Sequence, residues 1–356
     1  MLQVDHLRVT LQTPHGPADA VRGVSFAMQA GDTLGLVGES GCGKSLTAMA
    51  LMGLLPESAQ VAGAIRFQGT DLTTLGERAL EDIRGNRIAM VFQEPMTALN
   101  PLHTIGHQVA EPLRLHKGLS RADARAEALR LLDRVGIPDA ARRLDAYPHQ
   151  FSGGQRQRIT IAMALACGPD LLIADEPTTA LDVTVAGEVL KLIRELVRER
   201  GMGMILISHD LGVIAQNVDR MLVMYGGTVV ESGPTREVFR HMAHPYTRGL
   251  FASRPSFGAA AHGALADPAP GGTSNNFSTN STANPATSRP APRRRLPSIP
   301  GTVPELHQMP AGCPFASRCD VADAHCATQV PPNVALAPTH FGRCVRLEPA
   351  TPGGGT

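Results

Sequence analysis

From residue 1 to about residue 250 the chain alternates short apolar runs with amphipathic stretches. The runs Gln3–Leu11, Val21–Met28, Thr33–Val37, Ala64–Phe67, Ile88–Phe92, Leu171–Ala174, Met204–Ser208, Arg220–Tyr225 and Thr228–Ser232 read as strands. Helical periodicity falls between them, over Lys44–Gly53, Arg121–Gly136, Gly153–Cys167, Val183–Arg200 and Leu211–Asn217. Two of the runs, LLIAD and MILIS, are almost continuously apolar rather than alternating. A strand covered on one face alternates, whereas a strand covered on both has no polar side to show. Strands separated by helices therefore predict an α/β fold, with a parallel sheet core between helical layers.

The pattern stops near Pro255. Residues 256–295 are rich in Gly, Ala, Ser, Asn, Thr and Pro and have almost no apolar periodicity, which reads as a flexible low-complexity linker. The run Arg293–Arg295 at its end reads as solvated linker. A small cysteine-bearing module is expected over 296–348, followed by a disordered tail over 349–356. The main domain then occupies 1–255.

Composition narrows the function. The 356 residues are 43% hydrophobic, ample for one large core or two domains. With 33 basic and 32 acidic residues, net +1, the surface as a whole carries no footprint for nucleic acid. The clearest apolar stretches, Ile159–Cys167 and Met202–Ile207, fall short of the ~20 residues that span a bilayer. The N-terminus MLQVDHLRVTL lacks the basic and apolar regions of a signal peptide. A soluble, cytosolic chain is expected, one that would serve a membrane by docking to it. Cys42 and Cys167 are isolated, while Cys313, Cys319, Cys326 and Cys344 crowd together, which in a cytosolic protein suggests metal or cluster ligation over disulfides.

Chemistry concentrates at two strand ends. Gly38-Glu39-Ser40-Gly41-Cys42-Gly43-Lys44-Ser45 lies between the strand Thr33–Val37 and a helix, the setting of a phosphate-binding loop. Its glycines let successive N–H groups turn toward one anion, and the helix start adds its positive dipole end. Lys44 is expected to reach the β- and γ-phosphates of ATP and Ser45 to ligate Mg²⁺, with Leu46 next to the cradle. Cys42 occupies a variable loop position and needs no reactivity. Leu171–Glu176 is an apolar strand ending in two acids: Asp175 is placed to hold Mg²⁺, and Glu176 to orient and polarise the attacking water.

Phe151-Ser152-Gly153-Gly154-Gln155 resembles the LSGGQ signature of the ATP-binding cassette (ABC) family, with Phe in first position. Physically it is a second anion cradle at a helix N-terminus. The resemblance implies a P-loop NTPase fold with a parallel-sheet core, an antiparallel β subdomain and a helical subdomain at about 95–165. It implies further roles: Gln93 as the Q-loop glutamine that senses Mg²⁺ and the membrane partner, Asp182 of Thr179-Ala180-Leu181-Asp182 as the D-loop acid, and His209 as the switch histidine at the γ-phosphate. The signature of one subunit would face the nucleotide of another, so hydrolysis needs a head-to-tail dimer. One departure stands out: the aromatic ring that usually stacks on adenine is replaced by Leu11, with His15 nearby.

His244-Pro245-Tyr246-Thr247, the stretches EPMTALNPLHTIGHQVAEPL and YPHQFSGGQRQR, and LPSIPGTVPEL resemble the oligopeptide/dipeptide importer branch over about 1–255 and 296–348. That implies a peripheral ATPase at the cytoplasmic face of the inner membrane, working with a second homologous ATPase, two integral-membrane permease subunits and an extracytoplasmic solute-binding protein, and not with nucleic acid. Nickel, glutathione or another small solute is the alternative cargo, and a non-transport ABC ATPase the alternative class. The resemblance also associates Cys313-x5-Cys319-x6-Cys326-x17-Cys344 with a 4Fe–4S cluster; from the residues alone, zinc and free thiols stay open.

Overall fold

The protein is described by a computed structural model over residues 1–94, 98–179, 181–253 and 298–349. The expected linker 256–295, with Arg293–Arg295, and the tail from residue 350 lie outside the described residues. The strands are β1 (Leu2–Thr13), β2 (Gly16–Met28), β3 (Thr33–Val37), β4 (Gln60–Phe67), β5 (Thr70–Asp71), β6 (Ile88–Val91), β7 (Leu171–Asp175), β8 (Gly203–Ser208), β9 (Arg220–Tyr225), β10 (Thr228–Pro234), β11 (Val334–Ala337) and β12 (His340–Gly342). They form two sheets, ordered β2-β1-β4-β5 and β11-β12-β10-β9-β3-β8-β7-β6.

The stretch from β6 to β9 is parallel. Its strands show why LLIAD and MILIS carry no polar face. In β7, Leu172 and Ala174 enter one core while Leu171 and Ile173 enter the other. In β8, Met204 and Leu206 do the same against Ile205 and Ile207. The first core lies under helices; the second lies between the two sheets, where Val4, Val9, Val24 and Phe26 of the antiparallel sheet meet Leu34 and Leu36 of β3. β1 and β2 are longer than their apolar runs suggest and close a hairpin at Thr13↔Gly16.

The helical subdomain uses Ile105–Lys117, Arg121–Arg134 and Gly153–Ala164. Its first helix is absent from the sequence reading because Pro112 sits inside it. Thr104 caps that helix and Ser120 caps the next, where Ser120 Oγ accepts from Asp123 N–H at 3.2 Å. Thr235–His241 and Pro245–Ala252 are two further helices that the apolar pattern does not reveal.

The cysteine-bearing segment does not stand apart as a small module. β12 pairs antiparallel with β10, and β11 with β12, so the segment extends the central sheet. Its Cys313, Phe315 and Cys326 are buried in the same core as Tyr225 and Tyr246. Glu231 on β10 fixes the attachment. Its carboxylate is wholly buried and accepts from His340 Nε2 of β12 at 2.9 Å, and from Ala243 and His244 N–H at 2.9 Å each. Burial opposes the Glu231 charge, yet these donors together hold its carboxyl below the ordinary range.

Candidate active site

The loop after β3 requires its glycines where backbones meet. A Cβ on Gly38 would lie 2.2 Å from Met224 O, and one on Gly43 would lie 2.8 Å from Ala20 O. Gly41 and Gly43 take φ of 79° and 96°, the left-handed region that glycine enters without strain. Lys44 is buried; its Nζ donates to Gly38 O at 2.8 Å and Glu39 O at 3.0 Å and lies 3.7 Å from Cys42 Sγ. The ammonium is thus held against the crest of the loop, and the helix Lys44–Met52 starts beneath it. Leu46 is half-buried against the inter-sheet core. Cys42 is fully buried, and burial pushes its thiol up, which makes it an inert packing residue.

Glu39 is engaged from elsewhere. Its N–H donates to Tyr246 Oη at 2.8 Å, and its carboxylate accepts from Arg318 Nη1 at 2.7 Å and Nη2 at 3.3 Å. Both partners come from beyond residue 240. His244, Pro245 and Tyr246 therefore have defined structural roles. His244 Nδ1 caps the helix Pro245–Ala252 by accepting from Tyr246 N–H at 3.0 Å, and Tyr246 reaches the loop. Burial pushes the His244 imidazole down to about 4, so it stays neutral and able to accept.

Asp175 ends β7 inside the protein. Burial pushes its carboxyl up; the Ser45 hydroxyl pulls it down, Glu176 pushes it up, and Lys44 pulls it down again. One oxygen, Oδ1, is buried without a hydrogen-bond partner. An unsatisfied carboxylate oxygen beside a hydroxyl is costly by itself and suits a hard cation, so Ser45 and Asp175 fit Mg²⁺. Gln93, expected as the third member, instead donates to Glu176 Oε2 at 3.4 Å. Among the described residues no group of three or more His, Cys, Asp and Glu is arranged to hold a metal. Two protein oxygens fit an ion that keeps waters and substrate oxygens as its other ligands.

Glu176 adopts φ 45°, a left-handed conformation that costs a non-glycine residue about 1 kcal/mol or more. Its N–H is tied to Ile207 O at 3.0 Å. The turn aims the side chain so that Oε2 meets Thr179 Oγ1 at 2.8 Å, His209 Nδ1 at 3.1 Å and Gln93 Nε2. Three separated sequence features thereby meet on one carboxylate oxygen. The sequence pattern gives Thr179 no such role; its only signal is its place three residues after the acid.

The second cradle is built differently. Ser152 Oγ accepts from Gln155 N–H at 3.3 Å and Gln155 Oε1 accepts from Ser152 N–H at 3.2 Å, closing a capping box on the helix Gly153–Ala164. Asp182 caps the neighbouring helix Val183–Arg200 by accepting from Val185 N–H at 3.1 Å. The two helices are pressed together at Gly154, where a Cβ would lie 2.6 Å from Val185 Cγ1. Phe151 is buried under the Arg143 guanidinium, 4.0 Å from the ring centroid.

Near the expected adenine position, Leu11 is half-buried against the core, and His15 stacks on His307 with centroids 4.0 Å apart. Cys313, Cys319, Cys326 and Cys344 are free thiols that line one cavity with His244 and Phe315. Burial pushes the Cys313 thiol up to about 11, with the other three thiols adding to it. They converge, but not in a ligand arrangement.

Comparison with known proteins bears on all of this. Residues 21–179 match the ABC transporter family, and residues 230–279 and 285–326 match the oligopeptide/dipeptide transporter C-terminal region. The chain is 46% identical over 355 residues to a protein of Brucella melitensis described as a peptide import ATP-binding protein, covering 98% of this chain and 97% of that one. It is 44% identical over 346 residues to the oligopeptide transport ATP-binding protein OppD of Salmonella typhimurium, covering 97% and 93%. The dimeric post-hydrolysis structure of the ATP-binding cassette MJ0796 with ADP and Pi superposes at TM-score 0.60 and 28% identity, covering 66% of this chain and 99% of that one.

Proposed function

The chain belongs to the ABC transporter family, and from that premise we propose that it is the ATP-hydrolysing subunit of an importer powering uptake of di- and oligopeptides. The observation that carries the hydrolytic part is the meeting of Gln93, Thr179 and His209 on Glu176 Oε2, next to Asp175, whose buried Oδ1 has no hydrogen-bond partner. Lys44 and the N–H groups of residues 40–45 bind the phosphates. Ser45 and Asp175 would hold Mg²⁺, which when bound would neutralise charge on the phosphate oxygens. Glu176 accepts a hydrogen bond from the attacking water and sets it in line; Thr179 and Gln93 fix the carboxylate, and His209 bears on the γ-phosphate.

The signature Ser152–Gln155 and Asp182 serve the nucleotide of a second, homologous ATPase in a head-to-tail dimer, in keeping with their place at two helix N-termini pressed together at Gly154. The dimer drives two permease subunits at the cytoplasmic face of the inner membrane, fed by an extracytoplasmic solute-binding protein. Among the described residues no helix is long and apolar enough to cross a membrane, which fits a peripheral subunit. The ATPase domain is 1–255. The four cysteines at one cavity would hold a 4Fe–4S cluster, or zinc as the alternative, once drawn together, since thiolate sulfur suits both. Uptake of labelled dipeptide, nickel and glutathione by cells with and without this chain tests the cargo. Loss confined to peptide is expected; loss confined to nickel or glutathione would overturn peptide import.

A further inference from the structure

Arg318 is a buried cation that the hydrolytic scheme leaves unused. It ends the short turn Ala316–Arg318 between Cys313 and Cys319, and its side chain is 6% exposed. Every arm of its guanidinium is committed. Nη1 and Nη2 grip the two oxygens of Glu39, Nη1 also donates to Tyr225 Oη at 3.2 Å, and Nε donates to Pro300 O at 2.8 Å. Its carbon lies 5.7 Å from the Tyr225 ring centroid. Tyr225 ends β9, and Tyr246, packed on it at 4.7 Å, takes the Glu39 N–H. The phosphate loop is thus bolted at one residue to a segment that follows it by 279 positions.

Glu39 poses an electrostatic problem in a loop meant for an anion. An unpaired carboxylate there opposes a triphosphate, and only an opposite charge removes the conflict. A forked guanidinium both cancels that charge and fixes its direction. We propose that Arg318 is a positioning residue for nucleotide binding: it neutralises Glu39 and holds the loop in its binding shape, so the C-terminal segment sets ATP affinity without touching ATP. This rests on the phosphate-loop reading given above.

The test uses the full-length chain and Mg-ATP titrated by calorimetry, with thermal unfolding as the check on folding. Arg318→Ala is expected to raise Kd about tenfold, because the triphosphate then meets the uncancelled Glu39 charge. The double variant Arg318→Ala/Glu39→Gln is expected to recover part of that loss, since the uncancelled charge is gone while the hold on the loop is still missing. Arg318→Lys keeps the charge but loses the fork, and falls between the parent and Arg318→Ala; it carries the test if the alanine variant does not fold. In the assembled importer KM for ATP rises while kcat at saturating ATP holds. An unchanged Kd for Arg318→Ala, a double variant as weak as Arg318→Ala, or a fall in kcat with KM unchanged would overturn the proposal. Parent binding that is abolished by Lys44→Ala but indifferent to Arg318 removes this proposal alone; a parent that does not bind Mg-ATP removes the phosphate-loop reading with it.

Discussion

Two sets of side chains bear on the same phosphate loop, and they are made in opposite ways. One stands at the ends of β6, β7 and β8: Gln93, Asp175, Glu176 and His209. It holds a strained backbone at Glu176 and a buried oxygen of Asp175 with no partner. The other comes from the C-terminal part of the chain: Tyr225, Tyr246 and Arg318. It is buried and joined by hydrogen bonds through Glu39. Strain and missing partners are tolerated where a ligand will supply what is lacking, whereas a brace gains from having every group satisfied before the ligand arrives.

The contrast can be broken most decisively at Glu176. Glu176→Gln is expected to lower turnover about a thousandfold or more while Mg-ATP binding stays within about threefold, because the loss falls on positioning the water and not on holding the phosphates. Phosphate release and a binding titration on the same variant check it. On the bracing side the effect should move to stability. His340→Ala leaves the buried Glu231 carboxylate without its imidazole, which is expected to cost about 3 kcal/mol in urea unfolding with ATP affinity of the folded chain unchanged.

Acid should find the brace next. His244 titrates near 4 when folded and at its usual value of 6.5 when unfolded. Below that usual value the unfolded chain takes up a proton that the folded chain refuses, so stability is full above it and falls as pH drops toward 4. The loss is about 2 kcal/mol at pH 5, read as a fall in Tm, and His244→Asn, which can still cap the helix, should flatten the slope. Glu231, held low in the fold, contributes above its ordinary range and loses that contribution only at more acid pH, as its folded value is crossed. The smallest effect sharpens the catalytic side: Thr179→Ala removes one hydrogen bond to Glu176 and should lower kcat about fivefold with Tm unmoved.

The catalytic side was legible in the sequence because its residues sit at fixed offsets from strand ends. A glycine-rich turn after an apolar strand, two acids after another and a histidine after a third need no knowledge of long-range packing. The doubly buried strands were legible for the same local reason. The brace was not. Arg318 and Glu39 are 279 positions apart, and nothing near Arg318 marks it as a partner of the loop. His244-Pro245-Tyr246 was visible as a motif, but its use, a neutral cap and a phenol aimed at Glu39, appears only once β10 and the helix Pro245–Ala252 are in place. The strands β11 and β12 escape the sequence pattern because strands of three or four residues carry little of it, and the segment therefore looks like a separate module rather than an extension of the sheet.

Residues 38–45 and the acids of β7 are proposed to make this chain the engine of an importer. Phosphate release from Mg-ATP by the assembled importer containing this chain tests it most directly, with Lys44→Ala as the paired control. Release is expected in the parent and is expected to be lost, together with ATP binding at this chain's loop, in the variant. Release that continues undiminished in Lys44→Ala would contradict it.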